Sequence, residues 1–81
     1  MSYSVYILQC ADDTLYTGIA TDLNRRLTEH NSSEKGAKYT RSRRPVRLVY
    51  SETFPDRSSA SRREYEIKKL SRAKKLQLIR G

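Results

Sequence analysis

Apolar and polar positions alternate from the start of the chain: in SVYILQC (residues 4–10), Val5 and Ile7 project to one side and Tyr6 and Leu8 to the other. Their β-branched and aromatic character favours an extended backbone, so the segment predicts a strand. ADD at 11–13 is a turn signal and LYTGIA at 15–20 resumes the β pattern, which predicts a hairpin, with Gly18 breaking the second strand where the backbone must turn. The period then becomes helical. Thr21 or Asp22 suits an N-cap, Leu23 and Leu27 lie one turn apart, and a helix is expected to about Asn31. NSSEKGAKYTRSRRP (31–45) is polar and basic with a Gly and a closing Pro, which predicts a loop with one short helical turn around Ala37 to Arg41. VRLVYSETF (46–54) alternates again, Val46, Leu48 and Tyr50 against Arg47, Val49 and Ser51, and predicts a third strand. Asp56, Ser58 or Ser59 caps a helix to about Leu70, with Ala60, Ile67 and Leu70 near one face; Ser71 caps a last helix with Ala73, Leu76 and Ile79 inward. The order β-β-α-β-α-α describes an α+β chain without internal repeats.

Size narrows what such a chain does. At 81 residues it is expected to form one small domain over 1–81, which buries only about 60% of its unfolded surface. A deep cofactor cleft between two domains, a dinucleotide-binding fold and a barrel are thereby excluded. The single cysteine, Cys10, makes neither an intramolecular disulfide nor a cysteine-based zinc site and reads as a buried strand residue in a reducing compartment. The absence of a long apolar run and of signal-peptide features leads to the expectation of a soluble, cytoplasmic protein with no membrane partner.

Charge adds a direction. The net charge is +8, yet residues 1–34 hold five acidic and two basic side chains, whereas residues 57–81 hold nine basic and two acidic ones. A basic surface concentrated in the later part of the chain favours a polyanion, because Lys and Arg on phosphates release condensed counterions. Charge alone also allows a solvated face or an anionic membrane surface.

Certain polar side chains fall where apolar ones are expected. At 100° per residue, Arg26 and His30 share a side of the first helix with Leu23 and Leu27. They are aimed at the edge of the core, either lining a cleft or serving as a snorkelling Arg and a satisfied rim His. Glu64 lies within the apolar arc of Ala60 and Ile67, so it needs a partner: Arg26, a metal ion, or both. Tyr6 and Tyr16 stand in adjacent strands, able to share one face or simply to pack.

Taken together, the stretches VYIL, LYTGIATDLNRRLTEHN, GAKYTRSRRPVRLVY and ASRREYEIKKL resemble the GIY-YIG endonuclease superfamily, most nearly its small single-domain bacterial and viral members, over nearly the whole chain. The first motif stands here as Ser4-Val5-Tyr6 and the second carries Thr17 at its centre, so Tyr6, Tyr16 and Gly18 keep the defining residue types. The resemblance implies a small three-stranded antiparallel sheet flanked by helices. It implies catalytic positions at Tyr6, Tyr16, Arg26, His30 and Glu64, with Glu64 the ligand of a divalent metal, Mg²⁺ first and Mn²⁺ as the alternative.

The chemistry is consistent with those residue types. Phosphodiester hydrolysis needs an activated water, stabilisation of the phosphorane-like transition state and help for the leaving oxygen. A phenol near a metal and a cation can share its proton to activate water, Arg26 offers a planar fork to phosphate oxygens, and a lone carboxylate suits a Mg²⁺ that keeps most of its waters. His30 either orients a tyrosine or relays a proton. Between residues 35 and 47 the loop carries Lys38, Arg41, Arg43 and Arg44 around Tyr39 and no acid, a composition suited to gripping phosphates and stacking on an unpaired base. The expectation is a metal-dependent endonuclease acting on nucleic acid, DNA foremost, with specificity set by structure or strandedness. The alternative is a non-catalytic nucleic-acid-binding module within a repair or recombination complex.

Overall fold

The computed structural model describes residues 2–32 and 38–81. Its elements are β1 (Tyr3–Gln9), β2 (Leu15–Ala20), α1 (Leu23–Ser32), the single turn α2 (Lys38–Arg41), β3 (Arg47–Phe54), α3 (Arg57–Lys68) and α4 (Arg72–Arg80). The strands form one antiparallel sheet in the order β2-β1-β3. Of the predicted turn around Ala37 to Arg41, α2 covers the last four residues, and Ala37 lies outside the described residues.

The alternation read in β1 carries the architecture. Val5 and Ile7 enter a cluster with Ala60 and Ile67 of α3, while Tyr6 and Leu8 join Cys10 and Val46 on the other face, against which Leu23 and Leu27 of α1 pack. Both faces of the central strand are therefore covered, and each of its large side chains contributes roughly 1.5–3 kcal/mol through burial. α1 and α3 lie on opposite sides of the sheet.

The connections explain themselves chemically. Asp13 adopts a left-handed backbone (φ 66°), which Asp tolerates better than most residues, and Asp12 accepts hydrogen bonds from the Thr14 amide and hydroxyl at 3.2 and 2.6 Å. Asp22 caps α1 through the Arg25 amide at 3.0 Å, Asp56 caps α3 through Ser59 at 2.7 Å, and Ser71 caps α4 through Lys74 at 3.3 Å. Arg63 of α3 pairs with Glu52 of β3 at 2.8 Å, and the Tyr50 hydroxyl donates to the same carboxylate.

Three sequence expectations change. The strict alternation in β3 fails because the register slips: Ile7 opposes Tyr50 but Leu8 opposes Leu48. The extra residue is a bulge that turns Tyr50 to the α3 side with Val49, leaving Val46 on the other face. In α4, Ala73 is exposed, and Leu78 together with Ile79 meets the core. Gly18 does not end its strand, since β2 continues to Ala20. It leaves room instead, because a Cβ there would lie 2.5 Å from the Tyr6 oxygen and 2.7 Å from its Cζ.

Candidate active site

The Tyr6 ring, 1% exposed, crosses β2 through the gap left by Gly18 and ends at His30 of α1, its phenol oxygen 2.9 Å from Nε2. Tyr16 belongs to the same cluster, two residues before Gly18 on β2, and meets the imidazole edge-on with ring centroids 5.3 Å apart. Arg26, one helical turn before His30, places its charge close enough to act on the Tyr6 phenol and holds Glu29 at 3.0 Å. The fold thus brings Tyr6, Tyr16, Arg26 and His30 together. Beside them, a cleft of about 300 Å³ between the end of β2 and α1 has Arg25, Arg26 and Glu29 in its wall.

Electrostatics fix the protonation states. Burial raises the Tyr6 phenol above its usual range, opposed by the Arg26 hydrogen bond. Burial, with the Arg26 and Arg44 charges, pulls His30 down to about 4, so the ring is neutral at physiological pH. Its other nitrogen, Nδ1, lies 2.8 Å from the hydroxyl of the fully buried Thr40.

Glu64 approaches from the opposite layer. Of the partners the sequence left open, Arg26 is not the one it meets: α3 and α1 sit on opposite faces of the sheet, and Glu64 pairs with Lys68 at 3.1 Å. Its charge nevertheless acts on the Tyr6 phenol, which it helps to raise. The carboxylate side chain is 25% exposed and hence open to a hydrated cation. Among the described residues no group of three or more His, Cys, Asp and Glu side chains could enclose a metal. The donor set fits a hard ion held by one carboxylate and otherwise by water.

Much of the basic loop serves the fold. Arg43 lies 4.0 Å over the Tyr39 ring, donates to Tyr39 O at 2.8 Å and pairs with Asp12 at 3.1 Å. Arg44 donates through Nε to His30 O at 2.5 Å, the position in which an Arg satisfies helix C-terminal carbonyls. Tyr39 stacks on Tyr16 with centroids 5.8 Å apart, so its ring is already engaged by Tyr16 and Arg43. Lys38 and Arg41 are the exposed cations of α2.

Sequence reasoning missed three contributors. Glu29 was readable as the i,i+3 partner of Arg26. Asn31, whose side-chain amide bonds Val46 O at 2.9 Å and Val46 N at 2.7 Å, and Thr40 carry no local signal, because both act on residues distant in sequence.

The sequence profile of the GIY-YIG catalytic domain matches residues 2–77. A UPF0213 protein of Desulfotalea psychrophila is 66% identical over 80 residues, covering 99% of this chain and 73% of that protein. The solution structure of a UPF0213 protein from Bacillus halodurans is 54% identical, with a TM-score of 0.63 over 98% of this chain and 83% of that one. The solution structure of a protein from E. faecalis is 46% identical, with a TM-score of 0.68 over 99% of this chain and 84% of that one. With its sheet order, its paired tyrosines and these relatives, the chain belongs to the GIY-YIG catalytic domain family.

Proposed function

We propose that this protein is a metal-dependent nuclease that hydrolyses phosphodiester bonds, with DNA as its substrate and with structure or strandedness, not base sequence, as its basis for selection. The observation that carries the reading is the buried Tyr6 phenol, 2.9 Å from a neutral His30 and within the influence of the Arg26 charge.

In this reading the phosphate oxygens are received by the planar fork of Arg26, which opposes the charge that develops as water attacks phosphorus. Tyr6 takes a proton from that water as its own phenolic proton passes to His30 Nε2, so the phenol need not exist as a free phenolate. Burial, with the Arg26 charge beside it, keeps His30 a weaker base than an ordinary imidazole. A bound phosphate offsets that cation and strengthens the imidazole when substrate is present. Tyr16 supplies a second phenol as donor to the phosphate. Glu64 would hold the divalent ion, Mg²⁺ or Mn²⁺, whose chemistry is to polarise a phosphoryl oxygen and acidify bound water. Lys38 and Arg41 of α2, with the basic residues exposed on α3 and α4, supply the grip.

The test is incubation with labelled single-stranded, duplex and branched DNA in the presence of Mg²⁺, Mn²⁺ or EDTA. Cleavage is expected with either ion and lost in EDTA. Glu64→Gln should reduce turnover by on the order of 10²-fold or more while DNA binding persists. Because the side chain forms one i,i+4 pair with Lys68, stability should fall by no more than about 0.5 kcal/mol. Binding without cleavage in every metal would leave a nucleic-acid-binding module.

A further inference from the structure

Thr40 is fully buried on a four-residue turn whose other members are exposed. A hydroxyl drawn in from such a turn has to be satisfied, and it meets His30 Nδ1 at 2.8 Å. A neutral imidazole has one N–H donor and one acceptor nitrogen, and the partner of one nitrogen decides the state of the other. The direction of the chain follows from its far end. Arg26 has only donors, so the guanidinium beside Tyr6 favours an orientation in which the lone pairs of the phenol oxygen face the cation and the phenolic proton points away from it. The one phenolic proton is then available to His30 Nε2, 2.9 Å away. An Nε2 that accepts leaves the ring proton on Nδ1, where Thr40 Oγ1 accepts it. From Tyr6 through His30 to Thr40 the two hydrogen bonds thus run in the same direction.

We propose that Thr40 is a positioning residue that locks His30 in the Nδ1–H tautomer, keeping Nε2 open to receive the Tyr6 proton. The functional importance of the lock rests on the reading of Tyr6 and His30 as the proton-handling pair; the tautomer itself does not. Removing the hydroxyl takes away the acceptor at 2.8 Å and releases the opposite tautomer, in which Nε2–H points at the phenol oxygen and the route for the Tyr6 proton is closed. Because Thr40 stands between Tyr39 and Arg41 on α2, the turn that offers a cation to substrate also sets the imidazole.

His30 is the one histidine of the sequence, so long-range ¹H–¹⁵N spectra of the full chain report a single imidazole. In the wild-type protein near neutral pH, Nδ1 should appear protonated and Nε2 unprotonated, with a contact from the Nδ1 proton to the Thr40 methyl group. Thr40→Val keeps the shape without the hydroxyl and should shift the ring toward Nε2–H, whereas Thr40→Ser should retain the wild-type pattern. In the cleavage assay Thr40→Val should lower kcat by about 10-fold or more with KM little changed, and Thr40→Ser should restore most of it. An Nε2–H ring in the wild type, or an unchanged tautomer in Thr40→Val, overturns the proposal. If the valine variant does not fold, the wild-type spectrum and the serine variant decide, since Nε2–H in either one refutes the lock. Wild-type protein that cuts no nucleic acid would defeat the nuclease reading while leaving the tautomer measurement intact.

Discussion

Replacing Gly18 with alanine adds one methyl group at the most crowded point of the site. The new Cβ would lie 2.5 Å from the Tyr6 oxygen and 2.7 Å from Cζ, against 3.4 Å for the onset of ordinary contact. The Gly18 backbone is not left-handed, so alanine would otherwise be tolerated and would even gain about 0.4–1 kcal/mol by restricting the unfolded chain. Tyr6 has little room to yield, since its side chain is buried among Leu8, Cys10 and Val46 and tied to His30. Forcing it aside costs about 1–3 kcal/mol in overpacking, and losing the His30 hydrogen bond adds about 0.5–1.5 kcal/mol. The net expectation is a destabilisation of about 0.5–4 kcal/mol, centred near 2, which lowers Tm by several degrees or more, at roughly 4–8 °C per kcal/mol for a domain of this size. A phenol displaced by about 1 Å should also cost on the order of 10²-fold in turnover. Thermal melts followed by far-ultraviolet circular dichroism, with cleavage measured well below Tm, check both. In a Tyr6→Ala background the same substitution should no longer destabilise and should show the small unfolded-chain gain instead, because the atoms it meets are gone. A Gly18→Ala protein with unchanged Tm and unchanged turnover would refute the clearance role.

Other perturbations address separate parts of the molecule. His30 is pulled from its usual 6.5 to about 4 by burial, so the unfolded chain binds the extra proton between those values. Its contribution is complete above about pH 6.5 and is lost as pH falls toward 4, on the order of 3 kcal/mol in all. Urea unfolding of wild type and His30→Gln between pH 4 and 7 should show converging stabilities on acidification, and parallel curves would contradict the buried neutral ring. Among the described residues Thr17 Oγ1, which is buried, has no hydrogen-bond partner, so Thr17→Val should raise stability by about 1 kcal/mol in the same unfolding assay; a loss would point to a partner for the hydroxyl. Lys38→Ala with Arg41→Ala should reduce the log–log salt slope of DNA binding by about 0.7 for each lost single-strand contact or 0.9 for each duplex contact, and an unchanged slope would move the grip to α3 and α4.

The element order was legible because β1 alternates cleanly and the caps at Asp22, Asp56 and Ser71 are local chemistry. The gathering of Tyr6, Tyr16, Arg26 and His30 was implied by the family resemblance, whereas hairpin pairing and helix angles alone left open whether they share a cleft or simply pack. What escaped depends on distant parts of the chain. One extra residue in β3 exchanges the faces of everything after it, and nothing in VRLVYSETF announces the bulge. Helix angles put Glu64 on the inward arc of α3 but do not say which side of the sheet α3 covers, so sequence alone left its partner open between Arg26 and a metal ion. A run of arginines looks alike whether it faces phosphate or, as Arg43 and Arg44 do, an aromatic ring and the end of a helix.

The sheet order also sets a sequence of events. β1 is the middle strand, and its β2 partner follows after a short turn, whereas its other edge waits for a strand whose Phe54 pairs with Tyr3. The hairpin closes from local contacts, but pairing across so long a stretch of chain must overcome a larger loop entropy and comes later. Until β3 docks, the run Val5-Tyr6-Ile7-Leu8 presents an open backbone edge between two uncovered apolar faces, and another hairpin of the same kind satisfies that edge as well as β3 does. Refolding yield should therefore fall as protein concentration rises, with β3 and its partner hairpins in competition for one edge of β1.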